Sequence, residues 1–120
     1  MFKFLNSRKA HNSLSINDAI RQSQNGELVV VDIREHAEVS KTGKAKGALH
    51  IPLTLLNFQA DPRHPDFHPA LDPAKPVALY CATGARSFMA SKMLRRLGYT
   101  EVHNLGGLSA WVNAGGAVSG

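Results

Sequence analysis

Apolar positions along the chain change period in a regular order. Leu14, Ile16, Ala19 and Ile20 fall at helical spacing around Ser15-Ile16-Asn17-Asp18, which resembles a capping box with Asp18 in place of the usual Glu. Asn25-Gly26 supplies the helix stop. Leu28-Val29-Val30-Val31-Asp32-Ile33 is then apolar apart from one carboxylate. Unbroken apolarity, unlike alternation, predicts a strand covered on both faces, as in a parallel sheet. Glu35 to Ser40 predicts a short helical turn, Thr42 to Gly47 a flexible basic loop, and Ala48-Leu49-His50-Ile51-Pro52 a short strand ended by proline. Five of the six prolines break residues 57–76 into short turns. Pro76-Val77-Ala78-Leu79-Tyr80 predicts a second buried strand running into Cys81, and Phe88 to Leu97 a helix stopped by Gly98. Thr100 to Leu105 reads as a short strand. Gly106-Gly107 opens a last helix through Ala114, with Trp111 as a core residue. Strands alternating with helices predict an α/β layer architecture with a mainly parallel sheet. Residues 1–13 lack periodicity and read as an N-terminal arm, set against a sheet edge near Leu14, which leaves 14–118 as the domain.

Composition narrows this picture. A chain of 120 residues fits one domain, burying roughly two-thirds of its unfolded surface. Its apolar fraction of 43% and charged fraction of 19% argue against disorder. One cysteine excludes an internal disulfide framework and a cysteine-rich zinc site, and is compatible with a reducing compartment. The net charge of +5 serves solubility or attracts anions, either small substrates or an acidic partner. The basic residues are scattered and not interleaved with aromatics, so nucleic acid is not the expected partner. No window approaches the roughly 18 apolar residues of a membrane span, and Met1-Phe2-Lys3-Phe4-Leu5 lacks the long apolar core of a signal peptide. The expectation is a cytoplasmic protein with no membrane partner.

Candidate chemistry is concentrated at two strand ends. Asp32 stands inside a buried run, where a carboxylate is costly unless paired, and Arg34 is the nearby partner. The expected role for both is support: a paired carboxylate ordering the loop after the strand. His50 reads as a packed, hydrogen-bonded residue. His64 and His68 sit four apart beside Asp61 and Asp66, a metal-ligand spacing on a helix, but the prolines interrupt any such helix. That stretch reads as a loop rimming the substrate side, and neither metal nor cofactor is called for.

The second strand end, Tyr80-Cys81-Ala82-Thr83-Gly84-Ala85-Arg86-Ser87, is the stronger candidate. A thiol is reactive as the thiolate, and with an ordinary pKa only about 3% is ionised at pH 7. Strand, tight loop and helix N-terminus together aim free N–H groups and a positive dipole end at Cys81. Gly84 lets the backbone fold into a nest, Arg86 adds a cation with a planar fork for oxyanions, and Ala82, Thr83 and Ala85 leave the approach open. Four residues separate Cys81 from Arg86, where cysteine phosphatases use five, and Ser87 stands in the position of their arginine. The smaller cradle suits a sulfane sulfur or persulfide better than a full phosphate.

From these residues the chain resembles the rhodanese-like family of sulfurtransferases over roughly residues 13–118. The loop carries the resemblance, together with Val31-Asp32-Ile33-Arg34-Glu35, Gly47-Ala48-Leu49-His50-Ile51-Pro52, and Val102-His103-Asn104-Leu105-Gly106-Gly107 with Trp111, in the family's order and spacing. The resemblance implies a three-layer α/β fold, a central mainly parallel sheet flanked by helices, with Cys81 at the base of a shallow pocket. It also implies transfer of a sulfane sulfur from a small anionic donor such as thiosulfate through a Cys81 persulfide. The loop from Ala82 through Thr83, Gly84, Ala85 and Arg86 to Ser87 would bind the donor. The acceptor would be cyanide, a thiol or a sulfur-accepting protein. Two departures stand out: Gly43-Lys44-Ala45-Lys46-Gly47 replaces the family's Gly-His-Ile-Pro-Gly, and Ala82 stands where many active members carry a basic or polar residue. Arg86 is therefore the loop's only cation, left to hold the donor or to shape the loop. The alternatives are a non-enzymatic persulfide carrier or interaction module, and a phosphatase or arsenate reductase of related architecture.

Overall fold

The computed structural model describes residues 14–120, so the expected arm at 1–13 lies outside the described residues. Helix α1 (Ile16–Gln24) starts where Ser15 Oγ accepts the Asp18 N–H at 3.0 Å. Asp18 turns its carboxylate to Arg21 at 2.7 Å, so only half of a capping box forms. Then follow β1 (Val29–Asp32), α2 (His36–Thr42), β2 (Lys44–Ala45), β3 (Leu49–His50) and α3 (Leu53–Gln59). The second half contains β4 (Val77–Cys81), α4 (Ala85–Arg96), β5 (Val102–Gly107), α5 (Leu108–Asn113) and β6 (Val118–Ser119).

Four parallel strands form the central sheet in the order β3-β1-β4-β5, with the two apolar runs, β1 and β4, in the middle. Successive residues of a strand face opposite sides, and here both sides are covered. Val77, Leu79 and Cys81 face one core with Leu56, Ala90 and Leu94 from α3 and α4. Ala78 and Tyr80 face the other with Ala19, Ile20 and Trp111 from α1 and α5. The result is the three-layer α/β arrangement expected from the sequence.

Two differences from the sequence reading are local. α3 reaches Gln59, two residues past the point where Asn57 was expected to open an irregular region. Beyond it the chain does run in turns, each held by a side chain two residues back. Asp61, His64, His68 and Asp72 accept the N–H groups of Arg63, Asp66, Ala70 and Ala74 at 2.9–3.0 Å. His64 and His68 thus spend Nδ1 on backbone rather than sharing one helical face. The second difference is β2, which pairs antiparallel with β6 inside the stretch read as a flexible loop.

Candidate active site

The strand-loop-helix turn expected around Cys81 forms as β4, residues 82–84 and α4. Gly84 has φ +99°, the left-handed conformation that glycine adopts without penalty, and its N–H donates to Cys81 Sγ at 3.0 Å. Ser87, in the first turn of α4, brings Oγ to 3.5 Å from the same sulfur. Full burial by itself would push the Cys81 thiol up. The Ser87 hydroxyl, and then the N–H groups of Ser87, Gly84 and Thr83, outweigh burial and bring Cys81 down to about 7. The sulfur therefore sits in a nest of donors, as the sequence predicts.

The loop is held from β5. Gly107 packs so closely that a Cβ there would stand 2.2 Å from the Ala82 carbonyl oxygen, and one on Gly84 would come within 3.3 Å of Gly106 Cα. Asn104 braces the turn: its Nδ2 donates to Gly84 O at 3.1 Å, and its Oδ1 accepts from Gly106 N–H at 2.9 Å and Ser87 Oγ at 2.6 Å.

Arg86 points across to α2. Its two Nη groups donate to Glu38 Oε1 and Oε2 at 2.7 and 2.8 Å, a bidentate pair. Arg86, with help from the Glu35 N–H, holds the Glu38 carboxyl down to about 2, and the pairing raises Arg86 in turn. The loop's one cation is thus committed to a carboxylate 48 residues away.

Asp32 and Arg34 form a separate buried cluster. Arg34 Nε and Nη2 grip the Asp32 carboxylate at 2.7–3.1 Å, and Arg34 also donates to Gly43 O at 2.8 Å and Thr42 Oγ1 at 3.0 Å. Tyr80 completes it, donating its hydroxyl to Asp32 Oδ2 at 2.6 Å and accepting the Ala45 N–H at 2.8 Å. Tyr80 lies on the sheet face opposite Cys81, so this cluster fixes strand ends and does not touch the thiol. His50 Nε2 hydrogen-bonds Arg34 O at 2.7 Å, the packed role expected of it.

Ala82, Thr83 and Ala85 are exposed over the sulfur, while Cys81 itself is fully buried, so the thiol lies under the loop rather than at an open pocket floor. Two residues of this arrangement were not singled out by sequence reasoning. Glu38 left one signal, its place three residues after Glu35, where it closes a capping box at the start of α2. Asn104 belonged to a recognised stretch but carried no assigned role.

Comparison with known proteins agrees with this fold. A family model described as Rhodanese-like domain matches residues 15–114. A sulfurtransferase from Allochromatium vinosum is 33% identical over 96 residues, covering 79% of this chain and 81% of that protein. Among solved structures, a protein of unknown function from Rhodopseudomonas palustris, described as a possible tyrosine phosphatase, is similar with a TM-score of 0.78 at 33% identity, covering 95% of this chain and 89% of that one. The human single-domain sulfurtransferase gives a TM-score of 0.68 at 27% identity, covering 84% of this chain and 95% of that one.

Proposed function

The chain belongs to the rhodanese-like domain family, and from that premise we propose that it is a sulfurtransferase that carries sulfur as a persulfide on Cys81. One observation carries the reading. A single thiol, brought to about 7, accepts the Gly84 N–H in a donor-lined turn at the start of a helix. In the first half-reaction the Cys81 thiolate attacks the outer sulfur of a donor such as thiosulfate. The S–S bond of the donor breaks, sulfite leaves with the electron pair, and Cys81 keeps a terminal persulfide anion. In the second, the terminal sulfur passes to cyanide, giving thiocyanate, or to a thiol or acceptor protein, giving its persulfide, and the Cys81 thiolate returns. Two half-reactions through one covalent intermediate give ping-pong kinetics. The N–H groups of Thr83, Gly84 and Ser87 supply fixed dipoles for the anionic sulfur without reorganising.

A second reading, a persulfide carrier serving one partner protein, draws support from the full burial of Cys81. It differs in outcome: slow turnover with small donors, alongside fast transfer to that protein. A phosphatase fits less well, because the C-x4-R loop is one residue short of the phosphate-binding length.

The test is intact-mass measurement after incubation with excess thiosulfate. The wild-type chain should gain one sulfur atom and lose it on addition of cyanide. Cys81→Ala should gain none while keeping the wild-type circular dichroism spectrum. Sulfur uptake by Cys81→Ala, or none by the wild type from either thiosulfate or an organic thiosulfonate, overturns the reading.

A further inference from the structure

We propose that Glu38 sets the charge class of the sulfur donor, by holding Arg86 away from it and so favouring a singly charged organic sulfane over an inorganic dianion. The proposal rests on the sulfurtransferase reading above. Arg86 is the only basic residue between Cys81 and Ser87. It directly precedes Ser87, whose Oγ lies 3.5 Å from the thiol. Both Nη groups are nevertheless engaged by the Glu38 carboxylate. Glu35 brings a second carboxylate to the same helix start, its N–H meeting Glu38 Oε1 at 2.9 Å. Within the loop itself a dianion meets N–H dipoles and a cation already paired with Glu38. Charge interactions scale with the product of the charges, so a dianion suffers from this arrangement twice as much as a monoanion.

The loop's surroundings favour the same class. Phe88 and Met89 follow Ser87 directly on α4 and are 53% and 56% exposed. They offer an apolar flank to the organic part of a donor, and the cation beside Phe88, Lys92 with Nζ 4.9 Å from the ring centroid, stands one turn further along α4. Methanethiosulfonate isolates the charge effect. It breaks the same kind of bond as thiosulfate, with a methyl group in place of one oxyanion: the Cys81 thiolate takes the outer sulfur and methanesulfinate leaves, two negative charges before and two after.

The experiment compares kcat/KM for thiosulfate and methanethiosulfonate across variants. Glu38→Gln keeps the length and one oxygen for the Glu35 and Arg86 N–H groups while removing the charge. It should raise kcat/KM for thiosulfate about tenfold, mainly through KM, and for methanethiosulfonate about threefold. In the double variant Glu38→Gln with Arg86→Gln the gain should vanish, since Glu38 acts through Arg86. Glu35→Gln, which leaves the pair intact, should move the donor ratio the same way by less. This variant also tests the idea should Glu38→Gln fold poorly. A merely structural role for the pair changes both donors equally, and an unchanged ratio in the single variants overturns the proposal. If the wild type takes sulfur from neither donor, the sulfurtransferase reading itself fails, a different result from an active enzyme with an unmoved ratio.

Discussion

At the scale of the residue, the site turns on how many donors face one sulfur. The Ser87 hydroxyl has a single hydrogen and three acceptors around it: Asn104 Oδ1 at 2.6 Å, Gly84 O at 3.2 Å and Cys81 Sγ at 3.5 Å. Asn104 is oriented by the Gly106 N–H, which must meet an oxygen, so its Oδ1 competes with the thiolate for the Ser87 hydrogen. Against burial, the Ser87 hydroxyl is nevertheless the first cause that lowers Cys81. The sign follows directly. Donors favour the anion, so removing one returns the proton to sulfur at neutral pH. Wild-type Cys81, at about 7, should be roughly half ionised at pH 7, against a few per cent for an ordinary thiol. The rate of alkylation by iodoacetamide should therefore rise with pH and inflect near 7. In Ser87→Ala the inflection should move up by about one unit, slowing alkylation at pH 7 about fivefold. An inflection that stays put in this variant assigns the whole effect to the backbone N–H groups.

At the scale of the element, the loop works because two strand ends, β4 and β5, come together without side chains between them. The register between these strands shifts near Cys81, which sets Cys81 opposite Gly107. Gly84 and Gly47 separate backbone strain from this close packing. Both have left-handed φ, +99° and +84°, but a Cβ on Gly84 meets Gly106 whereas one on Gly47 meets nothing within 4 Å. Each change to alanine should cost about 1–2 kcal/mol in urea unfolding. Only Gly84→Ala should also displace the N–H from Sγ and raise the alkylation inflection; an equal shift in Gly47→Ala contradicts this. The same scale explains what the sequence makes legible. β1 and β4 are visible because a strand buried on both faces is apolar at every position, and the Cys81 turn because glycine and small residues must follow it. α3 was hidden because Leu53, Leu55, Leu56 and Phe58 do not keep to one face, and the structure leaves Leu55 and Phe58 exposed. β2 and β6 are two residues each, too short for any period. Glu38 was hidden for another reason: its partner Arg86 is 48 residues away, and an ion pair leaves no periodic mark.

At the scale of the molecule, the central sheet divides labour between its faces. Tyr80 and Cys81 are neighbours in sequence, yet one carries a structural network and the other the sulfur of the proposed site. The Tyr80 hydroxyl is the only link from β4 to both Asp32 and the Ala45 N–H among the described hydrogen bonds. Burial, and then the hydrogen bond to Asp32, hold that hydroxyl far above its ordinary pKa, so it stays a donor across the working pH range. Tyr80→Phe keeps the ring in its core and leaves Asp32 Oδ2 to its two Arg34 bonds, but it strands the buried Ala45 N–H. Leaving such a group unmet costs about 1–3 kcal/mol, enough to lower Tm by roughly 5–10 °C in a chain of this size. Because the lost bonds lie across the sheet from the loop, the Gly84 N–H and Ser87 should keep their grip on the sulfur. The variant should therefore melt early yet alkylate with the wild-type inflection and accept one sulfur at low temperature. Scanning calorimetry and the alkylation profile together check it. An unchanged Tm would remove the stabilising role of the Tyr80 hydroxyl, and a Cys81 inflection that moves with the loss of stability would show that the two faces are coupled rather than independent.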